Sequence, residues 1–423
     1  MRQVIPCTAA VLSAAIVVPL AAQTLRVEAG GTYASVRAAV AAARPGTTIV
    51  IAAGVYHEGA LRIDKRLTLV GEDATILDGD GAHTVMDIVA DSVTVRNVVV
   101  RNTGLSQTED RAGIRVSGAR ACLIEHVRSE GNLFGIYLAN TKDCVVRDNT
   151  VIGTGVSQTL QGNGIQAWQS ERPEIARNHV EQHRDGIYFE FVTAAYVHDN
   201  ISTRNQRYGM HFMFSDDCRY ELNTYRENGT GVAVMYSHRV HMRGNTFAHN
   251  WGSAAYGLLL KDISDSEILD NQFRSNSIGL YLEDSNRNAV SANVFTANGW
   301  ALKLLASAQD NRLTRNVFEG NTFDVGTNSR QAFSTFDENY WDRYRGYDLD
   351  RDGHGDVAFA PVRLFALVVE QSPPAMILLR SVLVDALDVM ERVLPILTPE
   401  ALVDHRPLMR RPGGAASPLE HGS

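Results

Sequence analysis

Cysteine, basic clusters and long apolar segments are scarce in this chain of 423 residues. It has four cysteines and a formal net charge of −8, with no run of lysine or arginine that would attract nucleic acid. It also lacks a phosphate-binding loop for nucleotides, and no stretch after the first twenty residues is apolar and long enough to span a bilayer. These absences favour a soluble protein that neither binds nucleic acid nor contains an ATPase site of its own.

The first 22 residues are typical of a cleavable secretory signal peptide. Arg2 precedes an apolar run from Val4 to Leu20, and small residues follow at positions 21 and 22. A membrane anchor is the alternative, but the apolar run is short for a membrane-spanning helix. We therefore predict cleavage near Gln23 and a location outside the cytoplasm, in the periplasm or beyond the cell.

A repeat of 22 or 23 residues runs from Gly113 to Asp324. Each repeat opens on a glycine, at Gly113, Gly135, Gly164, Gly186, Gly209, Gly231, Gly257 and Gly279. One asparagine recurs in the middle of the repeats, at Asn149, Asn178, Asn200, Asn223, Asn245, Asn271, Asn293 and Asn316. A second recurs near their ends, at Asn132, Asn205, Asn228, Asn250, Asn276, Asn298 and Asn321.

This period indicates a solenoid, in which each coil buries its apolar side against its neighbours. Short apolar–polar alternations such as Ala289 to Phe295 indicate strands, because no apolar stripe at helical spacing is present. A leucine-rich repeat would need a leucine-dense consensus that the sequence lacks. We therefore predict an all-β fold, a right-handed parallel β-helix, with asparagines stacked at its turns.

The repeats set the predicted domain boundaries. Tyr33 to Ala43 is predicted to form a capping helix, with Val36 and Val40 on one face. The predicted parts are a signal peptide (1–22), an N-terminal cap with the first coils (23–102), the β-helix repeats (103–330), a C-terminal aromatic and Asp-rich segment with an amphipathic helix (331–405), and a disordered tail (406–423).

Three cysteines remain after the signal peptide, and all of them fall on the repeat. Cys122 and Cys144 are one coil apart, which places them within disulfide range. In an oxidising compartment they form either a disulfide or a small apolar ladder inside the coil. Cys218 has no partner in the adjacent coils, and we expect it to be buried.

An aspartate-rich segment follows the repeats. Asp348 to Asp356 places carboxylates at positions 1, 3, 5 and 9 and glycine at position 6, as in the first part of a calcium loop. The twelfth position is Phe359, so the usual bidentate glutamate is missing. The segment is therefore either a Ca²⁺ site or a tight Asp/Gly turn, and the calcium ligands would be Asp348, Asp350, Asp352 and Asp356.

An amphipathic helix is predicted from Ala375 to Leu394, beginning after two prolines and ending at Pro395. It either folds back on the last coil or docks on another protein at the membrane, together with a second apolar segment from Pro361 to Val369. The residues assigned to docking are Met376, Leu379, Leu383, Leu387, Met390 and Leu394.

The repeat also predicts which side chains point outward. Residues one and three positions after each leading glycine point inward, so those two and four positions after it face solvent. Met213 and Met235 then stack as exposed neighbours in successive coils, with His211 beside them. Two thioethers and an imidazole suit Cu(I), although the methionines can equally pack beneath a loop. Further candidate ligands are Met210, His238, His241 and Met242.

Three coils carry longer loops at the same predicted corner, next to the strand with His211. These loops run from Asn102 to Gly113, from Gly153 to Gly164 and from Asn250 to Gly257. Inserted loops on one side of a repeat protein commonly frame its binding face. Their position supports a recruiting surface around the methionines.

A polysaccharide lyase, hydrolase or epimerase is the main alternative for a β-helix. Glu190 with Trp168 and Tyr188 would suit a sugar groove, but the outward columns contain no close pair of carboxylates. We therefore predict that the chain is not an enzyme, and carbohydrate binding or processing remains the alternative.

Several segments resemble the NosD family of periplasmic accessory proteins. They are Arg207 to Ser215, Gly231 to Ser237, Gly257 to Asp262 and the C-terminal stretch from Asn339 to Gly353, with Leu394-Pro395 and Leu408 to Arg410 beyond it. The similarity extends over essentially the whole mature chain.

This resemblance implies a function in copper handling. In that family the protein acts with a membrane permease and a cytoplasmic ATPase of an ABC complex to mature the copper centres of nitrous oxide reductase, and a small copper chaperone hands it Cu(I). The C-terminal helix would then dock on the permease, and the His/Met patch would hold the metal transiently. The resemblance does not fix which residues hold copper.

Overall fold

The computed structural model of the chain describes residues 23–156, 159, 161–252, 255–328, 333–379, 381–393 and 402–412. The predicted signal peptide lies outside these residues. The described strands form three sheets of 14, 12 and 13 strands, which we call sheets I, II and III. Neighbouring strands in each sheet come from successive coils and run parallel, so the predicted parallel β-helix is confirmed.

The strands are short and recur in a fixed order along the chain. Sheet I consists of Thr24–Val27, Thr48–Ile51, Thr68–Gly71, Thr94–Arg96, Leu123–Glu125, Val145–Arg147, Glu174–Ala176, Tyr196–His198, Arg219–Glu221, His241–Arg243, Glu267–Leu269, Ala289–Ser291, Arg312–Thr314 and Thr335–Asp337. Sheet II consists of Leu61–Ile63, Met86–Ile88, Ala112–Ser117, Phe134–Ala139, Ile165–Trp168, Asp185–Glu190, Tyr208–Met213, Thr230–His238, Tyr256–Ser264, Ile278–Glu283, Trp300–Leu304 and Phe323–Gly326. Sheet III consists of Gly54–His57, Thr75–Asp78, Val99–Arg101, Arg128–Glu130, Thr150–Ile152, His179–Glu181, Ile201–Thr203, Thr224–Arg226, Thr246–Ala248, Gln272–Arg274, Val294–Thr296, Val317–Glu319 and Tyr340–Trp341.

The leading glycines lie on sheet II, where successive coils approach closely. A Cβ atom on Gly209 would lie only 2.6 Å from the carbonyl oxygen of Gly231 and 2.7 Å from the amide nitrogen of Asn228. A side chain at this position would therefore push the coils apart. The repeat of glycine in the sequence follows from this contact.

Two columns of buried asparagines join the coils at the corners. The mid-repeat column runs between sheets I and III, and each amide donates to the next, for example from Asn223 Nδ2 to Asn245 Oδ1 at 3.0 Å. Asn245 Nδ2 also donates to the carbonyl oxygen of Tyr220 at 2.8 Å, which satisfies a backbone group that would otherwise be unpaired inside the cylinder. The second column, between sheets III and II, continues the same pattern from Asn205 to Asn321.

The interior is apolar and includes a column of stacked rings. Neighbouring ring centroids lie 4.1–5.6 Å apart along Tyr225, Phe247, Phe273, Phe295, Phe318 and Trp341. All six side chains are fully buried. This column and the asparagines keep successive coils in register.

Both ends of the stack are covered. At the N-terminus the predicted capping helix is present as Val36–Ala42, with Val36 and Val40 buried. At the other end Asp404 is fully buried and accepts hydrogen bonds from the main-chain and side-chain nitrogens of Asn339 and from Trp341. The prediction of a disordered tail from Arg406 is therefore wrong at its start, because Leu408 pairs with Tyr340, and the rest of the predicted tail beyond residue 412 lies outside the described residues.

The C-terminal helical segment also differs from the prediction. Two α-helices, Leu364–Gln371 and Val382–Val393, flank a 3₁₀ helix, Pro373–Leu378, where one helix from Ala375 was expected. The chain turns back between the two α-helices, and this brings Val384 against Phe365 in one apolar cluster. None of the helices in the described part of the chain is long and apolar enough to cross a membrane.

The cysteines lie where the repeat placed them. Cys122 and Cys144 form a disulfide with their Cα atoms 4.6 Å apart, which selects the bridge over the apolar ladder. Cys218 is free and buried, as predicted. Burial raises the pKa of its thiol to about 11, so it stays protonated and is a poor metal ligand at neutral pH.

Candidate metal-binding face

Met213 and Met235 lie side by side on the outer face of sheet II. They are in register as partners on adjacent strands, and both side chains are partly exposed. Glu190 precedes Met213 in this column, and Lys261 follows Met235. The predicted stacking of the two methionines on the outer wall is confirmed, and the spacing of adjacent strands brings the two residues to about 4.8 Å from one another.

His211 points outward but is not exposed, which corrects the prediction that it faces solvent. Only 6% of the residue is accessible. The rings of Tyr208 and Tyr188 lie 4.7 and 5.3 Å from the imidazole and cover it. Its Nε2 atom is buried and has no hydrogen-bond partner among the described residues. A buried ring nitrogen without a partner is unusual in a folded protein, and a ligand bound at this face would supply one.

An ion pair between the buried Asp185 and the partly exposed Arg207, which the repeat pattern did not predict, lies next to His211. Arg207 donates to both carboxylate oxygens of Asp185, with Nε 2.8 Å from Oδ1. His211 Nδ1 lies 3.4 Å from the guanidinium and 3.7 Å from the carboxylate. Burial alone would raise the pKa of Asp185, but the hydrogen bonds from Arg207 and His211 outweigh it and the net shift is downward. The sequence contains an indication of this ion pair, because Asp185 is an acidic residue directly before the leading glycine Gly186.

The four further candidates do not join this face. Met210 is fully buried inside the coil, where its sulphur accepts a hydrogen bond from Tyr225 at 3.3 Å. Met242 is also buried, and His241 lies on sheet I with its Nδ1 3.1 Å from Glu267. His238 is exposed beyond the corner at the end of its strand. His238, His241 and Met242 all follow the corner after Met235, so they lie on a different face of the coil.

The three longer loops connect sheet III to sheet II, as predicted. The first two line a pocket with a volume of about 390 Å³, which includes Leu105, Phe134 and Arg184 among its lining residues. The third precedes Tyr256, whose ring lies 5.0 Å from that of Tyr281 on the outer face of sheet II. The loops therefore lie along the side of sheet II where its strands begin, which is the side of Tyr208 in the strand Tyr208–Met213.

The aspartate loop brings three of its four predicted ligands together. One carboxylate oxygen each of Asp348, Asp350 and Asp352 lies within 4.8 Å of the others. These carboxylates also accept backbone N–H groups of the turn, as in the 3.0 Å bond from Gly353 to Asp348. Asp356 instead accepts the N–H of Leu349 at 2.6 Å and lies outside the group.

The predicted docking residues divide into two sets. Leu379 and Leu387 pack against a cluster that includes Trp300 and Phe323 on sheet II, as a cap would. Met376, Leu383 and Met390 are exposed, together with Ile377 at 89% and Val382 at 83%. Leu394 lies outside the described residues.

Comparison with known proteins agrees with this architecture. Residues 153–346 match a family described as "Periplasmic copper-binding protein (NosD)", and residues 69–216 match one described as "Right handed beta helix region". A Yersinia enterocolitica family 28 exopolygalacturonase superposes with a TM-score of 0.57 at 13% identity, covering 75% of this chain and 77% of that protein. This likeness shows the fold alone.

Two relatives extend the match to most of the chain. The "Probable ABC transporter binding protein NosD" of Stutzerimonas stutzeri is 28% identical over 380 residues, covering 85% of this chain and 86% of that protein. The protein of the same description from Pseudomonas aeruginosa is 30% identical over 387 residues, covering 87% of this chain and 89% of that protein. Since a relative that is 30% identical covers 87% of this chain, the chain belongs to the NosD family.

Proposed function

We propose that this protein is a periplasmic copper-handling accessory protein. It accepts Cu(I) from a chaperone and, with an ABC permease and its ATPase, supports maturation of the copper sites of nitrous oxide reductase. The family description and the relatives described as ABC transporter binding proteins support the copper and the transporter parts of this proposal. They also favour a binding protein over an enzyme.

One observation carries the copper assignment: two thioethers and an unpartnered imidazole nitrogen share the outer face of sheet II. Met213 and Met235 are adjacent in register, and His211 is two residues before Met213 on the same strand and the same face. Sulphur and imidazole ligands together favour Cu(I) over the harder divalent cations. Copper is the cargo in this proposal and not a resident cofactor.

The site is suited to transfer because it is open on one side. Both methionines are partly exposed, so a donor protein can approach them from solvent. Lys261, which follows Met235 in the column, is engaged by Glu283 at 2.9 Å. With few ligands and solvent access, the metal is held loosely enough to be passed on.

The exposed apolar surface of the C-terminal helices is the proposed contact with the permease. Ile377, Val382 and Leu383 are among its most exposed members, and contiguous apolar residues of this kind usually mark a protein or membrane contact. The helices pack on sheet II at the Trp300 strand, three strands from that of Met235, or about 14 Å at the usual strand spacing. Transporter contact and metal face therefore lie on one side of the molecule.

The copper assignment is tested by anaerobic loading with Cu(I). Met213→Leu combined with Met235→Leu keeps side-chain volume but removes both sulphurs, and we expect Cu(I) affinity to fall, measured by competition with a chromophoric chelator. The matched control is Met210→Leu with Met242→Leu, which removes two buried sulphurs and should leave uptake unchanged. Equal affinity of parent and first variant would refute the site, and loss in the control would mean that the interior residues bind copper.

The transporter contact is tested separately. Val382→Asp with Leu383→Asp is expected to abolish co-purification with the co-expressed permease, whereas Val55→Asp, an exposed apolar residue in the N-terminal cap, should not. Retained co-purification of the helix variant would refute the assigned contact and leave the copper assignment untouched.

The column of outward residues that contains Glu190 has no closely spaced pair of acids for carbohydrate hydrolysis. Glu190 and Glu283 occupy one column but are four strands apart, about 19 Å at the usual strand spacing, against roughly 5–9.5 Å for the paired carboxylates of glycosidases. Release of reducing sugars from uronic-acid polymers by the purified protein would restore that alternative.

A further inference from the structure

Three aromatic side chains form an exposed ladder at the corner between sheets II and I. Phe191, Phe214 and Tyr236 are 46%, 44% and 38% accessible. Their ring centroids lie 5.1 Å apart at each step, and the planes are within 12° of parallel. The stack presents a ridge of ring edges to solvent, which distinguishes it from the buried aromatic column inside the coil.

The fold does not require aromatic residues at this corner. All three have left-handed backbones, with φ of 55°, 50° and 54°, a conformation that is unfavourable for bulky residues. The coils before them have Asn140 and Gln169 at the equivalent position with the same backbone. Solvation also favours polar residues there, so neither the backbone nor solvation accounts for the three rings.

The column continues beyond the rings as two unpaired carboxylates. Asp262 and Asp284 follow Tyr236 in the next two coils, and both are exposed. Within the described part of the chain neither carboxylate forms a hydrogen bond or an ion pair. Nearby aspartates differ, since Asp217 is paired with Arg239 and Asp265 with Arg287. The ridge therefore ends in two exposed carboxylates that have no ion-pair partner among the described residues.

The ladder is directly adjacent to the candidate copper ligands. Phe214 follows Met213, and Tyr236 follows Met235, so a body seated on the ridge covers the thioethers. We propose that the aromatic ladder and its two aspartates dock a protein with an apolar groove bordered by lysine or arginine, and that this protein is the Cu(I) donor. The inference rests on the proposed function, because it identifies where the donor binds.

Two routes of copper delivery separate docking from metal binding. The full chain in its exported form receives Cu(I) either as the tetrakis(acetonitrile) complex or from the copper-loaded periplasmic chaperone of the same organism. One variant combines Phe191→Asn, Phe214→Asn and Tyr236→Asn, since asparagine suits the left-handed backbone and preserves folding. A second combines Asp262→Lys with Asp284→Lys.

The ladder variant is expected to take up Cu(I) from the acetonitrile complex like the parent. Its transfer rate from the chaperone should fall about tenfold or more, as for loss of a central aromatic contact. The lysine variant should also receive copper from the chaperone more slowly, and that rate should lose its dependence on salt. Tyr196→Asn, an exposed ring on sheet I, and Asp73→Lys, an exposed charge in the N-terminal cap, are the controls and should transfer at the parental rate.

The outcomes are distinguishable. Parental transfer rates from the chaperone in the ladder variant would overturn the docking proposal while leaving copper binding intact. Failure of the parent to bind Cu(I) from the acetonitrile complex would overturn the proposed function itself. A parent dimer in sedimentation that the ladder variant loses, or ring-dependent retention on a neutral polysaccharide, would assign the ridge to a second copy or to a glycan and would also overturn the proposal.

Discussion

Replacing His183 with asparagine should stabilise the protein and remove one source of acid sensitivity. His183 occupies a position of the second asparagine column. Its main-chain N–H donates to Asn205 Oδ1 at 3.1 Å. The ring is fully buried, and neither ring nitrogen has a partner in hydrogen-bond geometry among the described residues. An asparagine at this position can donate to Asn205 as the other members of the column do to their neighbours.

The magnitude follows from the shifted pKa. Burial lowers the pKa of His183 from 6.5 to about 4, and the backbone near Gly162 offsets only part of this. Because the pKa of His183 is lower in the folded than in the unfolded state, the neutral ring makes its full contribution to the free energy of unfolding above pH 6.5. This contribution is lost as the pH falls towards 4. Two and a half units correspond to about 3 kcal/mol between these limits. His183→Asn should remove that loss and, at neutral pH, add about 1 kcal/mol from the restored hydrogen bonds.

The assay is urea unfolding of parent and variant between pH 7.5 and pH 4.5. The stability difference between them should widen as the pH falls, since all other titrating groups cancel in the comparison. A constant difference between His183→Asn and the parent would refute the reasoning, because it would mean that the buried ring is hydrated or partnered and titrates normally.

Three further predictions concern the buried amides, a buried acid and the aspartate loop. Asn245→Ala should lower the free energy of unfolding by about 2–6 kcal/mol in urea, since it leaves the N–H of Asn223 and the carbonyl of Tyr220 buried without partners. Burial raises the pKa of Asp324 to about 6, so its stabilising contribution is present below pH 3.8 and lost as the pH rises through 6. Asp324→Asn should therefore stabilise the protein by up to about 3 kcal/mol at pH 7.5 and by little at pH 4, and equal differences at both pH values would contradict this. For calcium, millimolar Ca²⁺ should raise the melting temperature of the parent but not of Asp350→Asn, and equal responses would mean that the carboxylates serve only the turn.

The solenoid was predictable because its constraints repeat. A glycine such as Gly209 is needed wherever backbones of adjacent coils approach, and an asparagine such as Asn245 is needed wherever a buried corner has unpaired backbone groups. Each constraint therefore leaves the same residue in every coil, at a period that can be counted. The C-terminal segment has no such repetition. Its path depends on side chains such as Val384 and Leu387 that pack on the cluster at Phe365, and helical periodicity does not predict these contacts.

The sequence predicts which side chains of the candidate site point outward, but it does not predict which of them are exposed to solvent. Strand alternation places His211 and Met213 on the outer face, and the strand register confirms the alignment of Met213 with Met235. Whether an outward side chain reaches solvent depends on its neighbours. His211 is enclosed by two tyrosines. Tyr188 lies beside it in the preceding coil, and Tyr208 directly precedes the leading glycine of its own coil. Because the two tyrosines occupy different positions of the repeat, no single repeated position predicts that they cover the ring.

The same distinction explains why strand alternation does not predict the aromatic ladder. A phenylalanine such as Phe214, next to apolar neighbours, is ordinarily assigned to the core, and the alternation rule covers strand residues but not the corner that follows them. At that corner the left-handed backbone turns the side chain away from the cylinder, so the aromatic residue is exposed and does not belong to the core. Aromatic residues one position beyond an outward strand residue in successive coils are therefore the pattern that predicts an exposed ladder. In this chain the pattern occurs at Phe191, Phe214 and Tyr236, beside the two methionines.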